Sequence, residues 1–137
     1  MPDDCIFCKI VKGEIPCAKV YEDDEVLAFL DITPIKKGHT LVIPKAHAKD
    51  LLEINSQLLE NLMLAVQKIA KAVMGATGAT AFNLGANNGT AAGQLVPHFH
   101  FHVIPRHEND GLEHWKGNQY QEGEMANFAE KIRENLK

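Results

Sequence analysis

Apolar and polar positions along this chain repeat with two different periods, and the switches between them mark out the elements. From Lys19 to Ile32, "KVYEDDEVLAFLDI" sets β-branched and aromatic residues on either side of an acidic turn at Glu22 to Glu25, which predicts two short strands joined as a hairpin. "HTLVIP", His39 to Pro44, predicts a third strand, closed by Pro44 because proline has no N–H for a ladder. Between residues 56 and 75, Leu58, Leu59, Leu62, Met63, Val66, Ile69, Ala70 and Val73 recur at helical spacing, with Asn55 or Ser56 as N-cap and Gly75 as the stop. "TAFNLG", Thr80 to Gly85, predicts a fourth strand, and His98 to Ile104 a fifth, ended by Pro105. Met125, Phe128, Ala129, Ile132 and Leu136 then predict an amphipathic C-terminal helix. Together these give an α+β domain: a mostly antiparallel sheet of about five strands, one long helix and a C-terminal helix.

Composition narrows the function more than the fold. The 137 residues suffice for one domain, expected over 1–137, and are few for two. A hydrophobic fraction of 45% with 23% charged residues is that of a soluble globular chain, and no apolar run reaches the ~20 residues that span a bilayer. No basic segment followed by an apolar one opens the chain, so the expected compartment is the cytoplasm and no membrane partner is expected. The formal charge is −4 without a basic stripe, which argues against a polynucleotide. A small phosphorylated ligand remains compatible, because backbone N–H groups bind phosphate without net positive charge. Three cysteines and no export signal argue against a disulfide framework, while Cys5 and Cys8 have the spacing of a metal half-site.

The chemistry concentrates in "PHFHFHVIPR", Pro97 to Arg106. Alternation on a strand puts His98, His100 and His102 on one face and Phe99, Phe101 and Val103 on the other, where they belong to the core. Two chemistries suit such a row. Three imidazoles can bind a catalytic metal with an open position for water. Alternatively, one imidazole is a nucleophile that its neighbours orient. Just upstream, "NNGTAAGQLVPH" supplies Gly89 and Gly93 for close backbone approach to an oxyanion, and Asn87 and Gln94 as uncharged donors.

Loop and row together resemble the histidine triad (HIT) superfamily of nucleotide hydrolases and transferases, whose signature, His-φ-His-φ-His-φ-φ with φ apolar, stands here as "HFHFHVI". The resemblance runs over about residues 5 to 107 and is greatest to the small prokaryotic Hint-type branch. It implies that His100 attacks the α-phosphorus of a purine nucleotide to form a covalent nucleotidyl intermediate, which water or another acceptor releases. It further implies that His102 contacts phosphate or leaving-group oxygens, that His98 and His39 belong to the same cluster, and that no catalytic metal is required. Asp31 is implied as the acceptor for ribose hydroxyls, apt for a carboxylate facing a vicinal diol. Asn87, Gly93 and Gln94 match the phosphate side, and Phe7, Phe29 and Ile32 match apolar positions around the base. Where Hint-type members often carry Ser or Thr two residues after the loop glycine, this chain has Leu95, which leaves only backbone contacts there. Implied substrates are nucleoside phosphoramidates, acyl-adenylates or dinucleoside polyphosphates, and the implied assembly is a homodimer.

Cys5 and Cys8 need two more ligands to close a tetrahedral site. His47, after "VIPKA", and His98 are the candidates, an arrangement similar to that of uridylyltransferase-like members of the superfamily. Four protein ligands would make the Zn2+ structural, fixing the N-terminal segment two residues before His100. Cys17 has no partner spacing and reads as a small buried hydrophobe. Two other readings make distinct predictions. A nucleotide-binding or scaffolding protein with vestigial catalysis would bind nucleotide without turnover. A metal-dependent hydrolase using the row itself would carry metal beside His100.

Overall fold

Five strands make one antiparallel sheet in the computed structural model, which describes residues 2–136; Met1 and Lys137, the ends of the expected domain, lie outside it. They are β1 (Lys19–Glu22), β2 (Val26–Leu30), β3 (Thr40–Pro44), β4 (Ala81–Gly85) and β5 (Phe101–Arg106), in the spatial order β1-β2-β3-β5-β4. Three helices accompany them: α1 (Ile6–Val11), α2 (Ser56–Thr77) and α3 (Glu124–Asn135). The fold is α+β, as the periodicities predict.

The inner strands are covered on both faces. Val26 and Ala28 of β2, Val42 of β3, and Phe101 and Val103 of β5 pack with Leu62, Val66, Ile69 and Val73 of α2. The alternate residues Leu27, Phe29, Leu41 and Ile43 turn the other way and pack with Cys5, Phe7 and Cys8. Phe99 joins the α2 side, so the expected division of the row holds: phenylalanines toward the long helix, histidines toward the opposite face.

The boundaries of α2 and of the fifth strand differ most from the sequence expectation. α2 passes through Gly75 and stops at Gly78, whose φ of 72° is left-handed and whose N–H bonds the Met74 carbonyl. A helix stop needs that left-handed turn, and Gly75 does not make it. Asn55 is the N-cap, its side chain accepting from the Leu58 N–H at 2.8 Å. The fifth strand begins at Phe101 rather than His98, because the preceding segment bonds elsewhere: Phe99 N–H to the Ala48 carbonyl at 2.7 Å, His98 N–H to Val96 at 2.8 Å. It also continues through Pro105, which lies opposite Phe82 of β4, while pairing with β3 has ended at Val103.

Two features of the ends stand out. α1 has six residues, too few for a visible period, and its N-cap is the Cys5 thiolate or thiol sulfur, which accepts from the Cys8 N–H at 3.4 Å. α3 forms where expected, yet none of its residues is buried; Met125, Phe128, Ile132 and Leu136 face outward.

Candidate active site and metal centre

His39, the residue before β3, is placed by a glycine. Gly38 has φ of 97°, and a Cβ there would stand 2.6 Å from the Thr77 methyl, so the chain crosses the end of α2 only with no side chain at this position. His39 is consequently buried beneath the sheet, with Nδ1 accepting from the Ile35 N–H at 3.1 Å. That bond assigns the proton to Nε2, which lies 2.9 Å from Nδ1 of His102. His102 therefore accepts at Nδ1 and carries its proton on Nε2. This Nε2–H is buried and has no partner among the described residues. It is a donor waiting for an acceptor oxygen.

His100 is held in the complementary state. Its Nδ1–H donates to the His98 carbonyl at 2.7 Å, which leaves the Nε2 lone pair free. Burial lowers the basicity of this ring, against the opposing effect of the His98 carbonyl. Burial also holds His102 down to about 4, with His100 and His39 adding to it, and lowers His39. All three imidazoles are neutral at pH 7, as a nitrogen nucleophile requires.

These rings form one end of a 470 Å³ cavity. Asp31 lies on its wall: Oδ1 accepts from the Thr33 N–H at 2.9 Å and the Thr33 hydroxyl at 3.3 Å, while Oδ2 stands 3.8 Å from His39 Nε2. Phe29 and Phe7 are buried in the apolar wall, whereas Ile32, 96% exposed, sits on the rim. Asn87 and Gly93, expected on the phosphate side, also line the cavity. Gln94 does not present its amide to the cavity. Its Oε1 accepts from Gly89 N–H at 2.8 Å, and its Nε2 donates to the Lys49 carbonyl at 2.7 Å and the Val96 carbonyl at 3.1 Å. Gln94 is thus the clasp of the loop, and the residues beyond it, Leu95 and Val96, line the cavity in its place. Leu95 is 92% exposed at the mouth.

Sequence reasoning missed Thr33, Ile35 and Val96. The Asp-x-Thr spacing is a readable signal for the first, since Asp and Thr close such turns on themselves. The role of Ile35 is carried by its backbone N–H, which no residue type announces. Cys17 is only half-buried and lines the cavity beside Ile15, Pro16 and Phe29.

Among the described residues, two groups of three or more side chains bring ligand atoms within 4.8 Å of one another: Cys5, Cys8, His47 and His98, and separately Asp31, His39 and His102. Their protonation separates them. In the first, His98 Nε2–H donates to the Pro44 carbonyl at 2.7 Å, so Nδ1 carries the lone pair. That Nδ1 lies 3.4 Å from Cys5 Sγ, 3.6 Å from Cys8 Sγ and 3.2 Å from His47 Nδ1. Cys8 Sγ lies 3.3 Å from His47 Nδ1. These are close to the edges of a tetrahedron with metal–sulfur bonds of ~2.3 Å and metal–nitrogen bonds of ~2.0 Å. Burial, with Cys5 beside it, pushes the Cys8 thiol up to about 11, so a thiolate here calls for a cation. The residues fit Zn2+. In the second group, the Ile35 N–H occupies Nδ1 of His39 and keeps the proton on Nε2, the atom that would have to ligate. That group is a hydrogen-bonded chain rather than a metal site.

The row is therefore split. His98 turns to the cysteines and is absent from the cavity wall, while His100 and His102 face the cavity with His39 behind them. A neutral imidazole with a free lone pair, a neighbouring buried N–H donor and the Asp31 carboxylate close beside the His39–His102 pair are groups that together can support nucleophilic displacement at an anionic centre.

The chain belongs to the HIT family: the model of the HIT domain matches residues 12–109. It is 49% identical over 109 residues to adenosine 5'-monophosphoramidase hnt1 of Schizosaccharomyces pombe, covering 79% of each chain. The crystal structure of a HIT family member from Bacillus subtilis superposes with a TM-score of 0.91 at 43% identity, covering 98% of this chain and 99% of that one. A zinc-bound histidine triad family protein from Mycobacterium smegmatis superposes with a TM-score of 0.77 at 36% identity, over 96% of this chain and 98% of that one.

Proposed function

We propose that the protein is a nucleotide hydrolase or nucleotidyl transferase that acts at the α-phosphate of purine nucleotides through a nucleotidyl-His100 intermediate. The observation that carries this reading is the opposite protonation of adjacent rings: His100 exposes a lone pair at Nε2 and His102 an N–H, on one cavity wall. His100 Nε2 forms the bond to phosphorus as the bond to the leaving group breaks. The His102 Nε2–H donates to a phosphate or leaving-group oxygen as charge builds there. Water then attacks the same phosphorus and returns His100 to its neutral state. Asp31 Oδ2 accepts from a ribose hydroxyl and sets the distance between sugar and nucleophile.

The relative named for its action on an adenosine phosphoramidate supports that substrate class, with acyl-adenylates and dinucleoside polyphosphates as further candidates. Zn2+ at Cys5, Cys8, His47 and His98 would act structurally, because all four positions are protein ligands. The zinc-bound relative supports this assignment. A homodimer acting in the cytoplasm completes the reading. Its support is the exposed edge strand β4, with Phe82 and Leu84, beside Met63 and Leu64 of α2 around a 510 Å³ apolar groove.

Intact-protein mass spectrometry after brief incubation with adenosine 5'-phosphoramidate and with a diadenosine polyphosphate tests the reaction. Wild type is expected to gain one nucleotide monophosphate, and His100→Ala and His100→Gly none. Nucleotide binding without adduct or turnover in wild type would favour a binding module instead.

A further inference from the structure

Phe7 lies between the two metal-binding cysteines in sequence and against the nucleophile in space. Its ring centroid is 5.1 Å from that of His100 with the planes at 84°, 5.8 Å from His98 at 70°, and 5.5 Å from Phe29 at 78°. All three are near-perpendicular arrangements within the range where aromatic rings attract. Phe7 is thus wedged among the histidine row and the sheet.

The His100 ring needs such a wall. It precedes the ladder of β5, which starts at Phe101, so strand pairing does not fix its backbone. Its one hydrogen bond, from Nδ1 to the His98 carbonyl, lets the ring rock about that contact. Nε2 is far from this pivot, and a small rotation moves it most. The two rings that bound this motion are His102, with centroids 4.9 Å apart, and Phe7. Phe7 in turn is carried by a helix of six residues, too short to persist unaided. What holds α1 in place is the packing of Phe7 against β2 and β3 together with its cysteines, Cys5 at the N-cap beside His98 and Cys8 in the first turn beside His98 and His47.

We propose that Phe7 is a positioning residue for His100: held by the Cys5 and Cys8 hook, it keeps the imidazole at the angle that turns Nε2 to the cavity. This deepens the proposed reaction and rests on His100 being its nucleophile. It assigns Phe7 a task different from that of a wall around the base, and the two separate kinetically. A wall acts on nucleotide affinity, whereas a positioning residue acts on the rate of bond formation.

The test uses the zinc-loaded full chain with Phe7→Leu and Phe7→Met, which keep apolar volume and lose the ring; either one that folds suffices. Four quantities are measured: metal content, AMP affinity by calorimetry, the single-turnover rate of nucleotidyl-protein formation, and the 15N–1H spectrum of the His100 ring. The expected result is unchanged metal content and AMP affinity within about twofold, with adduct formation slowed by about tenfold or more. The His100 Nδ1 proton, expected as a resolved signal in wild type, broadens or exchanges in the variants. Weakened AMP binding with an unchanged rate overturns the proposal in favour of a base wall. An unchanged rate and ring signal overturn it outright. Absence of any adduct in wild type would sink the reaction instead, and the ring signal would still decide the role of Phe7.

Discussion

His102 is the residue whose surroundings are least self-sufficient. A buried N–H without an acceptor costs stability, of the order of 1–3 kcal/mol, unless a ligand satisfies it. His102→Ala should therefore lower kcat by ~10²-fold, the usual effect of removing one donor to developing charge, with a smaller change in KM. Steady-state kinetics on adenosine phosphoramidate checks this. The pH dependence has a definite sign. Protonation of His100 removes its lone pair, and burial holds its pKa below the ordinary 6.5, so the acid limb of kcat/KM should centre below 6.5. For stability, His102 takes its proton near 6.5 when unfolded and near 4 when folded. The unfolded chain binds more protons in that window, so this contribution is present above 6.5 and lost as pH falls through 4. At equal metal content, thermal melts between those limits should fall more steeply for wild type than for His102→Gln. Gly38→Ala should cost on the order of 1–3 kcal/mol, since it strains a positive φ and drives a methyl against Thr77, and a lowered Tm checks it.

At the scale of elements, α1 and the proposed Zn2+ site at Cys5, Cys8, His47 and His98 should stand or fall together. Removing the metal, or replacing Cys8 by Ser, should lower Tm and raise hydrogen exchange over residues 5–11 while β2 and β3 stay protected, because those strands are buried by α2 as well. This is also where the sequence was least legible. The strands and α2 were readable because β-branched and aromatic runs bounded by turn residues or proline, the alternation in β5 and the helical spacing of α2 are all written in the sequence. α1 was not, since six residues make no period and its stability comes from cysteines and a phenylalanine in contact with distant parts of the chain. The candidate site shows the same division. The histidine row and the Cys5–Cys8 pair are announced by residue type and spacing, whereas the roles of His100 and Asp31 are implied only by the family resemblance. The tautomers that make His100 a lone-pair donor and His102 a proton donor depend on backbone groups of His98 and Ile35, and those appear only with the fold. Gln94 illustrates the converse, a residue of suggestive chemistry whose hydrogen bonds go to Gly89 and Val96 of its own loop and to the Lys49 carbonyl rather than to the cavity.

Across the whole molecule, the apolar surface is unevenly spent. β4 is an edge strand with both Phe82 and Leu84 partly exposed, α3 presents an apolar stripe, and Trp115 is 98% exposed on the segment that joins α3 to the sheet. Association of two chains through β4 and α2 would cover the first of these. Sedimentation velocity should find a dimer for wild type, and Phe82→Glu or Leu84→Lys should shift it to monomer. The two-sided burial of β5 carries a consequence of a different kind, in the reading frame of the strand. Phe99, Phe101 and Val103 interleave with His98, His100 and His102, so moving this segment by a single residue would exchange the two sets, setting phenyl rings toward the cavity and the cysteines, and imidazoles against α2. One inserted residue within β5, after Phe101, would therefore put the residues on either side of it out of phase and disrupt fold and site together. Between residues 112 and 123, where the chain is mostly exposed and belongs to no strand or helix, the same insertion should pass almost unnoticed.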